Sequence, residues 1–102
     1  MLELRPTCEH CNCSLPPAST DAMICSFECT FCKACAEVFL GNVCPNCGGG
    51  FCPRPIRPAT DWKSENFLGR YPAGTKTKYR PVDREAHERF AASIRTLAPE
   101  RR

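Results

Sequence analysis

No stretch of this sequence is long and apolar enough for a membrane-spanning helix, which needs about 20 apolar residues. The first residues also carry an acid and a base, Glu3 and Arg5, where a secretory signal peptide has its apolar run. We therefore expect a cytoplasmic chain without a membrane partner, in a compartment where thiols are kept reduced.

The chain has little room for a hydrophobic core. It has 102 residues, and its one tryptophan, two tyrosines and six phenylalanines are spread along its whole length. A first half of about 50 residues buries little apolar surface, and domains of that size usually depend on disulfides or metal ions. Because close cysteine pairs in a reducing compartment are more often metal ligands than disulfides, the ten cysteines indicate metal.

Patterns typical of catalysis are missing as well. The chain has only two histidines, and no nucleophile–base pair or acid–base set stands out. We therefore predict that the protein is not an enzyme and has no catalytic residues and no organic cofactor.

Charge divides the chain into two unlike halves. Residues 1–52 have two basic and five acidic residues, a net charge of −3, whereas residues 53–102 have twelve basic and six acidic residues, a net charge of +6. Eight thiolates binding two Zn²⁺ would add four negative charges to the first half. The metal-loaded chain is therefore not simply a basic protein that seeks nucleic acid.

Eight of the ten cysteines form four close pairs. The pairs are Cys8 and Cys11, Cys25 and Cys29, Cys32 and Cys35, and Cys44 and Cys47. A two-residue gap is typical of a zinc knuckle, a tight turn that points both sulfurs at one ion. Thiolates suit Zn²⁺, and a site closed by four of them has no position for a catalytic water. The pattern predicts two structural zinc ions per chain.

Three assignments of these cysteines to metal sites compete. In the one that we favour, site 1 consists of Cys8, Cys11, Cys32 and Cys35, and site 2 consists of Cys25, Cys29, Cys44 and Cys47. In the second, Cys8 and Cys11 share an ion with Cys29 and Cys32, which separates Cys32 from Cys35. The third is an iron–sulfur run, although the ferredoxin spacing has three residues before the last Cys-Pro and this chain has eight. Disulfides are a further alternative.

The order of the eight cysteines resembles the RING-type cross-brace, with cysteine where that family often has histidine. Phe31 before Cys32 and Pro45 after Cys44 also match that family, and the resemblance covers residues 8–47. It implies the first assignment and a treble-clef-type fold. Ubiquitin-ligase activity is not expected, because His10 and Gly48 stand where RING ligases usually have an apolar and a basic residue.

A closer resemblance covers about residues 1–58. The segments 1–6, 24–32, 44–49 and 54–58 are similar to those of a small bacterial, cysteine-rich family of unknown function. This resemblance implies a RING-like fold with a double zinc site, and it implies no activity.

The cysteine pairs, the resemblance and the periodicity together predict a small metal-stabilised α+β fold in three parts. Residues 1–52 form the RING-like module, with strands near 2–4, 22–27 and 51–52 and a helix over 34–40 that ends at Gly41. Residues 53–82 form an extended, proline-rich arm. Residues 83–98 form a C-terminal helix that begins at Asp83, and its apolar stripe consists of Ala86, Phe90, Ile94 and Leu97.

Several residues admit two readings. We expect His10 to be an exposed turn residue and His87 a surface residue, and we expect Cys13 and Cys52 to be small buried apolar residues rather than reactive thiols. The core between the metal sites is assigned to the phenylalanines at 27, 31 and 39.

The arm interleaves aromatic and basic side chains, and these also have two readings. The residues are Trp62, Lys63, Phe67, Arg70, Tyr71, Lys76, Lys78, Tyr79 and Arg80. They could bind single-stranded nucleic acid. We favour the alternative that the arm folds back on the acidic module, with its rings covering the core.

These observations favour a zinc-binding, non-catalytic adaptor that presents a rigid surface to a protein partner. Nucleic-acid binding through the arm and a redox or metal-responsive role for Cys13 or Cys52 are the alternatives. The apolar stripe of the C-terminal helix could also form a homodimer.

Overall fold

The computed structural model describes residues 1–102 as a small α+β fold. Its strands are β1 (Ala22–Ile24), β2 (Thr30–Cys32) and β3 (Cys52–Pro53), and its α-helix is α1 (Arg84–Ala91). A π-helical turn spans Cys35–Phe39, and a 3₁₀ turn spans Pro99–Arg101. No helix has the length and apolar character needed to span a membrane.

The three strands form one antiparallel sheet in the order β2-β1-β3. Met23 pairs with Phe31 on one side of β1, and Ile24 pairs with Cys52 on the other. The strands predicted near 22–27 and 51–52 are therefore present, within a few residues at their ends. The strand predicted at residues 2–4 is wrong, although Leu4 is buried.

Cysteine makes up half of the main buried cluster. Six of the twelve residues in the main buried cluster are cysteines: Cys8, Cys25, Cys29, Cys32, Cys35 and Cys44. Phe31 is the largest side chain among them, and Phe39 and Phe51 pack against the cluster. Phe27, which we expected in the core, is 71% exposed because it lies in the turn between β1 and β2.

The helix predicted over 34–40 is a single wide turn. The N–H of Leu40 donates to the carbonyl of Cys35, five residues back, at 2.8 Å, which is the π-helical pattern. Gly41 follows at a φ of 61°, so the predicted glycine cap is present.

The C-terminal helix is shorter than predicted, and the residues that it buries most deeply are not those of the predicted apolar stripe. Asp83 caps it, as expected, by accepting the N–H of Ala86 at 3.1 Å. Its buried residues are His87 and Ala91, whereas Phe90 and Leu97 are each 44% exposed. Turns follow Ala91, and this part of the chain lies against the loop after Cys47: an added Cβ at Gly48 would meet Ile94 and Phe90 at 3.5 and 3.6 Å.

The arm runs back along the N-terminal segment. Its backbone N–H groups at Gly74 and Arg80 donate to the carbonyls of Leu4 and Glu9 at 3.0 and 2.8 Å. The expectation that its rings cover the core is wrong for Trp62, which is 81% exposed, and for Tyr79, also exposed. Backbone hydrogen bonds therefore dock the arm, and two of its aromatic rings are left in solvent.

Two buried charged side chains lie where the module and the arm meet. Glu9 is 2% exposed, and its Oε2 accepts from Arg5 at 2.8 Å and from the backbone of Thr30 at 2.6 Å. Arg54 is 4% exposed and donates to the carbonyls of Arg5, Leu15 and Pro16. Burial lowers the pKa of Arg54.

Candidate metal centre

The first cysteine group contains Cys8, Cys11, Cys13 and Cys32. All four sulfurs lie within 4.8 Å of one another, and Cys11 and Cys32 are 3.8 Å apart. Four sulfurs bound to one tetrahedral zinc at about 2.3 Å would be roughly 3.8 Å apart. The spacing of this group therefore fits a single metal ion.

A short loop places three of these sulfurs together. The N–H of Cys8 donates to the carbonyl of Cys13 at 2.9 Å, and the N–H of Asn12 donates to the carbonyl of Cys8 at 3.0 Å. Asn12 takes a φ of 63°, a left-handed conformation that asparagine tolerates. The loop reverses between Cys11 and Cys13, and Cys32 reaches it from the end of β2.

The second group contains Cys25, Cys44 and Cys47. Cys29 is next to it: its thiol accepts from the side-chain amide of Asn46 at 3.4 Å, and its proximity contributes to the raised pKa of Cys44. The turn between Cys25 and Cys29 places Glu28 at a φ of 66° and returns the N–H of Cys25 to the carbonyl of Cys29 at 3.2 Å. All four cysteines predicted for site 2 therefore lie at one end of the sheet.

Backbone N–H groups point at the sulfurs in both groups. Cys8 accepts from the N–H of Cys11 at 3.5 Å, Cys25 from that of Phe27 at 3.3 Å, and Cys47 from that of Gly49 at 3.3 Å. Such donors stabilise a thiolate, which is the form that binds metal. The donor chemistry and the sulfur spacing both fit soft divalent metal ions.

The thiols differ in acidity. Burial raises the pKa of Cys11, but hydrogen bonds from the backbone and thiol of Cys13 and from neighbouring thiols outweigh it and bring that pKa down to about 7. Burial and the thiol of Cys11 raise the pKa of Cys13 to about 12. Burial likewise raises the pKa values of Cys8 and Cys44. Because the pKa values of Cys8, Cys13 and Cys44 are raised, a metal that binds these thiols has to displace their protons.

The structure places Cys35 and Cys13 differently from the prediction. Cys35 was predicted in site 1, and it lies outside the group of four, although burial and then the thiol of Cys32 raise its pKa. Cys13 was expected to be a small buried apolar residue; this is wrong, because it is exposed and belongs to the group. The short Cys-x-Cys spacing of Cys11 and Cys13 was the sequence signal that we missed.

The other leftover residues also differ from expectation. Cys52 is exposed on β3 and belongs to neither group, so it is not buried as expected. His10 is half-buried: its ring stacks on Phe39 at 4.0 Å, and its Nδ1 accepts from the N–H of Val82 at 2.9 Å. His87 is not a surface residue: it is 4% exposed and its Nε2 donates to the carbonyl of Leu40 at 2.9 Å. Both histidines attach later segments to the module.

Comparison with known proteins adds a family and a relative. A family described as "Protein of unknown function (DUF1272)" matches residues 1–57. The uncharacterized protein R02474 of Rhizobium meliloti (strain 1021) is 56% identical over 81 residues, which are 79% of this chain and 89% of that protein. No solved structure matches the chain. The family match includes both cysteine groups.

Proposed function

Since the chain belongs to the DUF1272 family of unknown function, we propose a function from its cysteine groups: it is a non-catalytic module that binds two structural zinc ions. The observation that carries this proposal is the convergence of cysteine sulfurs into two separate groups, each with backbone N–H donors directed at its sulfurs. A site closed by four thiolates leaves no position for substrate or water, which supports a structural role.

A RING-like cross-brace accounts for the order of the ligands. The hairpin of β1 and β2 has Cys25 and Cys29 at one end, with the second group, and Cys32 at the other, with the first group. Ligands to the two ions therefore alternate along the chain, and a π-helical turn follows the hairpin, where a treble clef has its helix.

Metal content tests the zinc proposal directly. Protein purified without added metal is examined by native mass spectrometry and elemental analysis. Two zinc ions per chain with all ten thiols reduced are expected. Iron, or fewer metal ions together with disulfides, would contradict the proposal.

The adaptor role has support in two exposed apolar side chains on the cysteine-bearing loops. Phe27 is 71% exposed between Cys25 and Cys29, and Val38 is 84% exposed on the turn that begins at Cys35. Val38 also borders a surface hollow of about 370 Å³ with Phe39 and Arg84. An aromatic side chain held in solvent by a rigid turn is typical of an anchor for a protein partner.

Site-specific crosslinking tests the adaptor role. A photoreactive phenylalanine analogue replaces Phe27 or, as the matched control, Ile56, which is exposed on the arm. We expect a discrete crosslinked protein from position 27 only. Added Phe27→Ser protein should compete poorly with the photoreactive protein for that partner, although it should still bind two zinc ions. Equal crosslinking from both positions would argue against a partner surface at Phe27. A crosslink to a second copy would indicate a homodimer.

Nucleic-acid binding is the second candidate, supported by the exposure of Trp62 and Tyr79 beside Lys63, Lys78 and Arg80. Trp62 is the only tryptophan, so its fluorescence reports directly on the arm. If the arm binds single-stranded DNA, the oligonucleotide should quench Trp62 with an affinity that falls steeply as salt is raised. Quenching that does not depend on salt, or no quenching, would remove this candidate.

A further inference from the structure

We propose that site 1 is a five-thiol site in which Cys13 and Cys35 compete for the fourth position on one zinc ion. This inference rests on the proposed zinc binding. Cys8, Cys11 and Cys32 are the constant ligands, and either Cys13 or Cys35 completes the tetrahedron. The protein therefore holds one unbound thiol next to its first zinc.

The position of Cys13 follows from a comparison of the two knuckles within the chain. In the first, the N–H groups of Cys8 and Asn12 donate to the carbonyls of Cys13 and Cys8; in the second, those of Cys44 and Gly48 donate to the carbonyls of Gly49 and Cys44. These are the same two bonds, so Cys13 occupies the position that Gly49 has in the second knuckle.

The Cβ of any side chain at that position lies close to the sulfur of a metal-binding cysteine. A Cβ added at Gly49 would be 3.3 Å from the sulfur of Cys47. The equivalent sulfur in the first knuckle is that of Cys11, and the sulfur of Cys13 lies within 4.8 Å of it and of those of Cys8 and Cys32. Glycine in one knuckle and cysteine in the other give site 1 a fifth thiol and leave site 2 with four.

Cys35 lies close to the same sulfurs: its thiol interacts with those of Cys32 and Cys11. It follows Cys32 by the two-residue gap of a knuckle and is 9% exposed at the start of the π-helical turn, whereas Cys13 is exposed on the surface loop. Zinc accepts four thiolates, so five thiols exceed its tetrahedral coordination by one.

The exchange needs no oxidant. The incoming thiol gives up its proton as its sulfur bonds to zinc, and the departing thiolate takes up a proton as its bond to zinc breaks. The charge of the site and the oxidation state of every sulfur are unchanged. The consequence is a site that keeps its metal when either competing cysteine is lost.

Cysteine variants test the competition, with zinc per chain and the thiolate-to-metal absorption of the Co²⁺-substituted protein as readouts. Cys13→Ser and Cys35→Ser should each retain two metal ions with four-thiolate spectra. The double variant should lose one ion. Cys44→Ser is the matched control in site 2, where no spare thiol exists, and it should lose one ion as a single variant.

Any other result would overturn the proposal. Loss of one ion in Cys35→Ser alone, or in Cys13→Ser alone, means a fixed ligand set; loss in both singles means that the two thiols do not substitute for each other. Retention of two ions in the double variant means that a group other than these thiols completes site 1. If the wild type itself fails to bind two metal ions, the zinc proposal fails first, and this result is distinct from those above.

A measurement on the wild type does not depend on variants that fold. Brief alkylation of the zinc-loaded protein followed by intact-chain fragmentation should find label on Cys52 and on either Cys13 or Cys35, but never on both in a molecule that retains two zinc ions. Molecules with two zinc ions and label on both residues would overturn the proposal.

Discussion

Arg54 is a buried cation that binds only backbone. Its guanidinium donates to the carbonyls of Arg5, Leu15 and Pro16 and has no carboxylate partner. Arg5 lies in the N-terminal segment, and Leu15 and Pro16 lie in the loop after Cys13, so none of the three is part of the sheet that contains β3. One side chain therefore joins the N-terminal segment, the loop after Cys13 and the start of the arm.

Replacement of Arg54 should destabilise the fold strongly. Arg54→Met keeps the apolar stem but leaves three carbonyls without their donor, and we expect a loss of about 3 kcal/mol in the free energy of unfolding. Denaturant unfolding of the metal-loaded protein measures it. Arg57→Met is the matched control: Arg57 is only half-buried and binds two carbonyls, so a smaller loss is expected. Equal losses would contradict this role of Arg54.

The residue after each knuckle takes a left-handed conformation. Asn12 follows Cys11 at a φ of 63°, and Gly48 follows Cys47 at a φ of 80°. Both Gly48→Asn and Gly48→Val place a Cβ near Ile94 and Phe90, but Gly48→Val should cost about 1–2 kcal/mol more, because a β-branched side chain strains this backbone. Thermal unfolding with zinc present compares the two variants. Equal stability of the Val and Asn variants would count against the conformational reason.

Short elements could be predicted where local chemistry determines them. They were harder to predict where packing against distant residues determines them. The strand at Ala22–Ile24 and the cap at Asp83 follow from apolar residues and capping chemistry. The strand at residues 2–4 did not form, because Leu4 pairs its carbonyl with Gly74 of the arm, a contact across 70 positions that no local pattern records. The helix after Cys35 became a π-turn, which places Val38 in solvent while Ala36 and Leu40 stay buried.

The candidate site was likewise predictable from local patterns only in part. Close cysteine pairs indicated which loops bear sulfur, but only the fold shows that Asn12 reverses the chain and brings Cys13 back to Cys8. Helical periodicity likewise gave a stripe through Phe90. The structure instead buries His87, whose ring donates to the carbonyl of Leu40, a carbonyl that also accepts the N–H of Val43.

Helix α1 should depend on that contact. His87→Ala removes the donor to the carbonyl of Leu40 and leaves a gap under the helix, so we expect a loss of about 1–3 kcal/mol. Hydrogen exchange should accelerate in the amides of α1 more than in those of β1. Glu88→Ala, at an exposed neighbouring position, is the control and should leave exchange nearly unchanged. Unaltered exchange in His87→Ala would exclude this docking role.

At the scale of the whole molecule, the apolar core is small, and the proposed metal ions would compensate for it. Half of the main buried cluster is cysteine, and the sheet has only eight residues in its three strands. Zinc bound to small thiolate sites contributes about 10–16 kcal/mol of apparent folding free energy, more than such a core could supply.

Removal of metal should therefore unfold the first 52 residues. A strong chelator at neutral pH is expected to abolish the chemical-shift dispersion of β1 and β2, and added zinc should restore it. Acid should act in the same direction, because protons compete with zinc for thiols such as Cys44, whose pKa burial raises. Retained dispersion in the chelated protein would show that the fold stands without metal.

A main buried cluster that is half cysteine also bears on how long the protein survives in a cell. Phe31, Leu15 and Leu40 are buried, and if the proposed ions hold the fold together, a chain without them would expose these side chains to proteases. Newly made chains would then persist only when zinc reaches them before degradation does. The amount of this protein should rise and fall with the zinc supply of its host, even when its gene is transcribed at a constant rate.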